Sequence, residues 1–268
     1  GGVDYTLASG TLTFDPNDVT ENIVITVVND GDVEADETIE VTLSSPANAT
    51  LGANTVHTYT ILDDDAVTVL RVGPGQPYST VQAAVNDASD GDTIEIYLAT
   101  YTGDEGNALI TPNNLTLRGM GATRPILDAG GTSIQGKAIW VIDGANTTVE
   151  FIEFRNCDVP DDNGAAIRQQ GASLTLTDCY IHDNEQGILA NAGATSDIVI
   201  EYCEFDHNGY VTGGAHNIYV SGVASFQLRH CWIHNADTGH EVKSRAELNY
   251  IEYNRISNEN GTGSYEVQ

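Results

Sequence analysis

Five stretches decide the fold: Val149-Glu150-Phe151-Ile152-Glu153-Phe154, Leu176-Thr177-Asp178-Cys179-Tyr180-Ile181, Ile200-Glu201-Tyr202-Cys203-Glu204-Phe205, Leu228-Arg229-His230-Cys231-Trp232-Ile233 and Ile251-Glu252-Tyr253-Asn254-Arg255-Ile256. They superpose without gaps, and their last residues stand 27, 24, 28 and 23 apart. Each follows a second short strand, at 139–141, 166–168, 187–189, 217–219 and 241–243. A unit of two or three short strands with a period near 24 cannot bury its own inner face. Stacking the units does so, and the result is a parallel β-helix.

Composition supports an all-β chain and excludes several functions. The 268 residues suit two small domains or one long repeat fold. Ten Lys and Arg stand against 39 Asp and Glu, a formal net charge of −29. A nucleic-acid binder needs cations to displace phosphate counterions, so that class is excluded. Docking on an anionic membrane is disfavoured for the same reason. With 40% apolar and only 18% charged residues, the chain has material for a core. No apolar run approaches the roughly 18 residues of a membrane span, so no membrane insertion is expected. The chain starts at Gly1 with no secretory leader, which predicts a processed product or a segment of a longer protein.

Charge also divides the chain. Residues 1–65 hold 13 acids and no Lys or Arg; residues 66–268 hold the other 26 acids and all 10 bases. A break that sharp, closed by Asp63, Asp64 and Asp65, reads as a domain boundary. In residues 1–65, alternation predicts strands at 11–14, 23–28, 39–43 and 56–61, separated by turn-formers such as Asp15-Pro16-Asn17-Asp18. That is a small antiparallel β-sandwich, incomplete by strand count. Residues 66–268 open with a helix near 78–88, in which Ser79 and Gln82 could form a capping box. Val81, Ala84, Val85 and Ala88 share a stripe on it, suited to covering the open end of the first coil.

Two resemblances follow from these residues. Asp4-Tyr5, Gly10-Thr11-Leu12-Thr13-Phe14, Asp36-Glu37-Thr38-Ile39, Leu43-Ser44 and the closing Asp63-Asp64-Asp65 resemble the Calx-beta domain, over residues 3–65. That family usually begins with two further strands, which implies that something outside residues 1–65 completes the fold. Residues 66–268, with the helix and Gly91-Asp92-Thr93-Ile94, resemble right-handed parallel β-helix proteins of the pectate-lyase-like superfamily. That superfamily spans lyases, epimerases, hydrolases and adhesins, so the likeness implies fold more than activity.

The Calx-beta resemblance implies a calcium site. Asp4, Asp30, Glu34, Asp63, Asp64 and Asp65 stand at the matching positions. Calcium takes six to eight oxygens, and these acids would otherwise repel one another with no Lys or Arg in their domain to relieve them. A solvated acidic linker is the other reading. Further on, Cys179, Cys203 and Cys231 hold one place in three repeats, with Ile152 before and Asn254 after. They are expected inside as a column of small hydrophobes, although the coil spacing of about 4.8 Å also allows a disulfide.

The strands at 139–141 to 241–243 align Trp140, Arg168, Leu189, Tyr219 and Lys243 in one outward column. Ile142, Gln170, Asn191, Ser221 and Arg245 form a second, and His216 matches His240. Tyr219, Lys243, Arg245, His216 and His240 are then candidate catalytic residues within two neighbouring coils. Arg245 would neutralise a uronate carboxylate, Lys243 or a histidine would take the adjacent proton, and Tyr219 would protonate the leaving oxygen. In the other reading, Lys243 and Arg245 only pair with Glu241, Glu247 and Glu266, which contributes about 0–1 kcal/mol a pair. Two functions therefore stand. One is an extracellular, calcium-binding structural or adhesive module of a cell surface, self-associating head to tail into filaments through open ends. The other is a polysaccharide lyase or C5-epimerase acting on an acidic polysaccharide.

Overall fold

The computed structural model describes residues 4–28, 35–63, 67–210, 214–260, 263 and 265–268, the last group without the side chains of Tyr265 and Glu266. The chain divides into two compact units, Gly1–Ala66 and Val67–Gln268.

The second unit is a right-handed parallel β-solenoid of about seven turns. Its first sheet has eight strands, from Val69–Val72 and Thr93–Tyr97 through to Leu248–Glu252. The second has seven, from Thr100–Thr102 to Arg255–Ser257, and the third seven, from Ala108–Ile110 to Tyr265–Val267. Parallel pairing keeps equivalent positions in register. Leu70, Ile94, Leu117, Val149, Leu176, Ile200, Leu228 and Ile251 follow one another across the first sheet. Tyr101, Leu127, Phe154, Ile181, Phe205, Ile233 and Ile256 do so across the second. These rows form one continuous core. Each fully buried aliphatic side chain contributes about 1.5–3 kcal/mol, which no isolated coil could gather.

The six-residue stretches are not single strands. Their third residues, Phe151, Asp178, Tyr202, His230 and Tyr253, have φ of 57°, 51°, 57°, 56° and 59°. Each turns the chain from the first sheet into the second. The next residue is thereby aimed inward, which places Ile152, Cys179, Cys203 and Cys231 in the core. The three thiols are free and stacked: the Cys179 and Cys203 amides donate to the Cys203 and Cys231 sulfurs, both at 3.4 Å. Asn254 ends the column by accepting from the Cys231 amide at 2.8 Å.

The helix runs over Val81–Asp87 and is capped by Thr80, whose hydroxyl accepts from the Ala83 amide. It begins one residue too late for the Ser79–Gln82 capping box. Gln82 instead accepts from the Leu109 amide at 2.7 Å, tying the helix to the third sheet. Val81, Ala84 and Val85 enter the core, with Ala88 packed against it.

In the first unit, Tyr5–Thr6 pairs with Thr26–Val27 and Glu37–Thr42 with Val56–Ile61, both antiparallel. The expected strand at 11–14 does not form, and of 23–28 only Thr26–Val27 is strand. Alternation supplies strand propensity, but a ladder needs a neighbour, and residues 11–14 and 23–25 pair with no strand among the described residues. Ile39 is the buried apolar side chain there, at 2% exposure, while Phe14, Val24 and Leu62 are exposed.

Candidate functional site

The outer face of the third sheet carries Leu109, Val141, Arg168, Leu189, Tyr219 and Lys243 in one column. Trp140 and Ile142 do not belong to this face, contrary to the alignment above. Trp140 pairs with Ile167, lies in the core against Phe154, and donates its indole N–H to the Gly106 carbonyl at 2.8 Å. Ser221 and Arg245 are paired in register, and Gln170 and Asn191 hold the equivalent places two coils and one coil before Ser221.

A groove of about 740 Å³ lies on this face. Arg168, Gln170, Leu189, Asn191, Tyr219 and Ser221 line it from the sheet, and Asp161, Asp162 and Asn163 from the preceding loop. That loop, residues 156–164, is clasped from below. The buried Glu185 carboxylate accepts from the Val159 and Gly164 amides at 3.1 and 2.6 Å. Burial raises the Glu185 pKa above its ordinary value, although these two donors pull the other way.

Charge bookkeeping separates this face from the others. Arg71, Arg118, Arg124, Lys137, Arg155, Arg229 and Arg255 are each in an ion pair with a carboxylate. On the first sheet, Glu95 bridges Arg71 at 3.0 Å and Arg118 at 2.7 Å, and the Arg118 hydrogen bond lowers its pKa. Arg168, Lys243 and Arg245 remain, with no carboxylate paired to them among the described residues. All three lie on the outer face of the third sheet. The Arg168 Nη1 is buried without a hydrogen-bond partner. Lys243 and Arg245 flank the Tyr219 ring, 5.3 and 5.9 Å from its centroid.

The expected pairing of these cations with Glu241 does not form. Glu241 points inward and is fully buried, accepting from Asn217 Nδ2 at 2.5 Å and from the Ala236 amide at 2.9 Å. Glu247 pairs with neither cation, and the Glu266 side chain lies outside the described residues.

His216 and His240 are brought together beside Tyr219. The His216 ring packs edge-on to Tyr219 at 5.5 Å and lies 4.9 Å from the His240 ring. Burial, then the nearby Lys243 and His240, pushes the His216 pKa down to about 4. Its Nδ1 accepts from the His240 amide at 3.0 Å. A neutral ring accepting at Nδ1 must carry its proton on Nε2, so His216 has no lone pair left with which to take a proton. His240 Nε2 meets Gln268 Oε1 at 2.5 Å.

The second sheet carries a histidine–carboxylate face that the repeat alignment did not single out. His234 Nε2 lies 3.2 Å from Glu204 and its Nδ1 3.0 Å from Asp206, and His182 Nε2 lies 3.2 Å from Glu153. Trp232 stacks on His234 at 3.9 Å. The signal was present, since Glu153, Tyr180, Glu204, Trp232 and Arg255 hold one place in the five stretches. Its groups pair with one another. Arg168 was in the aligned column but not among the candidates; the ion pairing of Arg71, Arg118, Arg124, Arg155, Arg229 and Arg255 sets it apart, together with Arg245.

Of the calcium candidates, Asp30, Glu34, Asp64 and Asp65 lie outside the described residues. The Asp4 carbonyl accepts from the Val28 amide at 2.9 Å, and the Asp63 amide donates to Asp36 at 3.1 Å. No group of three or more His, Cys, Asp or Glu is placed to hold a metal among the described residues.

Together these features define a parallel β-solenoid with a small antiparallel β unit before it in sequence and, on one outer face, a groove lined by Arg168, one of three cations of that face that carry no ion pair among the described residues. Residues 99–267 match the right handed beta helix region family, and the chain belongs to that family. Residues 1–65 match the Calx-beta domain. No curated protein and no solved structure matches the chain. The two domains together suggest a surface or carbohydrate-related module, and Calx-beta is a domain of extracellular type. No helix among the described residues is long and apolar enough to cross a membrane.

Proposed function

We propose that this chain is an extracellular surface module that holds an acidic polysaccharide along the outer face of its third sheet and leaves the polymer uncut. One observation carries the reading. In a chain of net charge −29, the cations left without ion pairs converge on the face that also holds the groove and Tyr219. Guanidinium groups match carboxylates bidentately, and a tyrosine ring offers a sugar an apolar face with a polar tip. Isothermal calorimetry with acidic polysaccharides tests this. Binding should weaken at least about tenfold in an Arg168→Ala/Lys243→Ala/Arg245→Ala variant and with added salt. Equal affinity of that variant would overturn the proposal.

A lyase or C5-epimerase is the second reading, favoured by Lys243 and Arg245 lying against Tyr219. His216, with no free lone pair, cannot serve as its base, so the role falls to Lys243 or His240. Incubation with polyuronates decides between the two: unsaturated ends or inverted C5 centres require the enzyme, and an unchanged polymer supports the binding module.

Calcium held by Asp4, Asp30, Glu34 and Asp63 to Asp65 is part of the proposal. The Calx-beta match and the absence of any Lys or Arg in residues 1–65 support it. So is self-association, supported by the exposed Phe14, Val24 and Leu62 side chains of the first unit. Sedimentation with and without calcium tests that part.

A further inference from the structure

We propose that the groove selects an acidic heteroglycan, with charged sugars separated by one or two neutral ones, over a polymer charged at every sugar. The inference rests on the binding reading above and adds the charge pattern of the ligand.

The pattern is written in the two outward columns. The first reads Arg168, Leu189, Tyr219, Lys243 in successive coils. The second reads Gln170, Asn191, Ser221, Arg245. Arg168 lines one end of the groove, Leu189, Asn191, Tyr219 and Ser221 form its neutral remainder, and Lys243 and Arg245 stand in the next coil of the same face, against Tyr219. Lys243 and Arg245 lean toward Tyr219, so the two positive places are two to three coil spacings apart, about 10–14 Å. A pyranoside chain advances by roughly one coil spacing per sugar. Two carboxylates bound at once are then separated by one or two sugars, which lie over Leu189 and Tyr219.

The middle suits those neutral sugars. Leu189 and the Tyr219 ring offer apolar surface, and the Gln170, Asn191 and Ser221 side chains offer both donors and acceptors to hydroxyls. A carboxylate placed there would be desolvated against Leu189, in a coil that contributes no cation of its own to the groove. Asp161 and Asp162 line the Arg168 end and would repel a run of contiguous charges. Arg168 lines this end of the groove and offers its guanidinium edge to one carboxylate there.

Calorimetry on the full chain with three pentasaccharides of equal length tests the inference. One carries uronates only at its second and fourth sugars, one carries them at every sugar, and one is neutral. The spaced diacid should bind about tenfold tighter than either of the others. Arg168→Gln should bring its affinity down to that of the neutral probe. Leu189→Lys supplies the missing central cation and should raise affinity for the fully charged probe about fivefold or more. If the fully charged probe binds unmodified protein as well as the spaced one, the inference falls while the binding module stands. If the neutral probe binds equally well, charge selection falls. If none of the three binds, the binding reading itself fails, and the inference with it. Circular dichroism of each variant confirms the fold.

Discussion

At the level of single residues, His216 makes the sharpest prediction. An unfolded chain protonates this histidine near its ordinary value of 6.5, whereas the folded protein holds it neutral down to about 4. Its contribution is thus fully present above the unfolded value and is lost as pH falls from about 6.5 to about 4. The loss should be on the order of 2–3 kcal/mol. Urea melts at pH 7 and pH 4.5 measure it, with His216→Gln as the reference, because carboxylates titrate in the same window. A His216→Gln variant with the same pH slope as the unmodified protein would show that His216 does not titrate in this way. A second prediction concerns the buried asparagines. Asn184 Nδ2 donates to Asn208 Oδ1 at 2.9 Å, Asn208 Nδ2 to Asn217 Oδ1 at 2.7 Å, and Asn217 Nδ2 to Glu241 at 2.5 Å. Asn208→Leu removes the middle of this chain and strands its neighbours. It should cost about 2–4 kcal/mol by chemical denaturation, more than a surface asparagine. The sequence held the signal without declaring it: Asn184 and Asn208 each stand three residues after the last residue of their stretch, and Asn217 and Glu241 open the aligned strands at 217–219 and 241–243. Alignment does not tell an inward asparagine from a solvated turn residue.

At the level of the element, the corners explain both what the repeat revealed and what it hid. Phe, Asp, Tyr, His and Tyr occupy the positive-φ turn between the first and second sheets. Only Asp178 and His230 are of types enriched in such a backbone, and the aromatic residues at the other three places favour strands, so each six-residue stretch read as one strand. The cost of the left-handed backbone, about 1 kcal/mol a residue, is offset by ring stacking of Tyr202 on His230 at 5.0 Å and His230 on Tyr253 at 5.3 Å. The inward cysteine column was legible because it depends only on position within the repeat. The one-residue slip at Trp140 has a different origin. Ala138–Ile142 is buried on both faces, because Ala138, Val141 and Ala165 form a small outer cluster with Leu109, Ile134 and Leu189. With no polar alternation the strand carries no register of its own. Burial pushes the Cys203 thiol far up, and all four cysteines are buried and free. A disulfide reagent should therefore label none rapidly in the native protein and all four after denaturation. Fast native labelling of the three stacked thiols would contradict the corner geometry. Close approach of neighbouring strands yields another test. A Cβ at Gly187 would lie 2.1 Å from the Asn217 carbonyl oxygen, so Gly187→Ala should lower the melting temperature by several degrees, about 2 kcal/mol or more.

At the level of the whole molecule, the acidic balance is distributed unevenly. The β-helix neutralises seven of its ten cations in ion pairs, and the residues that match Calx-beta carry 13 acids with no Lys or Arg. If those acids bind calcium, the metal should stabilise the first unit alone by about 2.7 kcal/mol at a hundredfold excess over its dissociation constant. Scanning calorimetry should then show a calcium-dependent transition that EDTA lowers, beside one that EDTA leaves unmoved. A calorimetric profile indifferent to both reagents would remove calcium from the account.

The asparagine chain has a consequence for how such a solenoid can lengthen. Asn184 and Asn208 stack one coil apart, each amide both giving and receiving along the axis. A copied coil inserted at this level would present another asparagine, and the chain would pass through it unbroken. Glu241 occupies the far end and only accepts, from Asn217 and from the Ala236 amide. Copying its coil would set two carboxylates face to face in the core with no donor between them. Gene duplication can therefore extend this protein near Asn184 and Asn208, but at Glu241 the core itself sets a boundary to growth by whole coils.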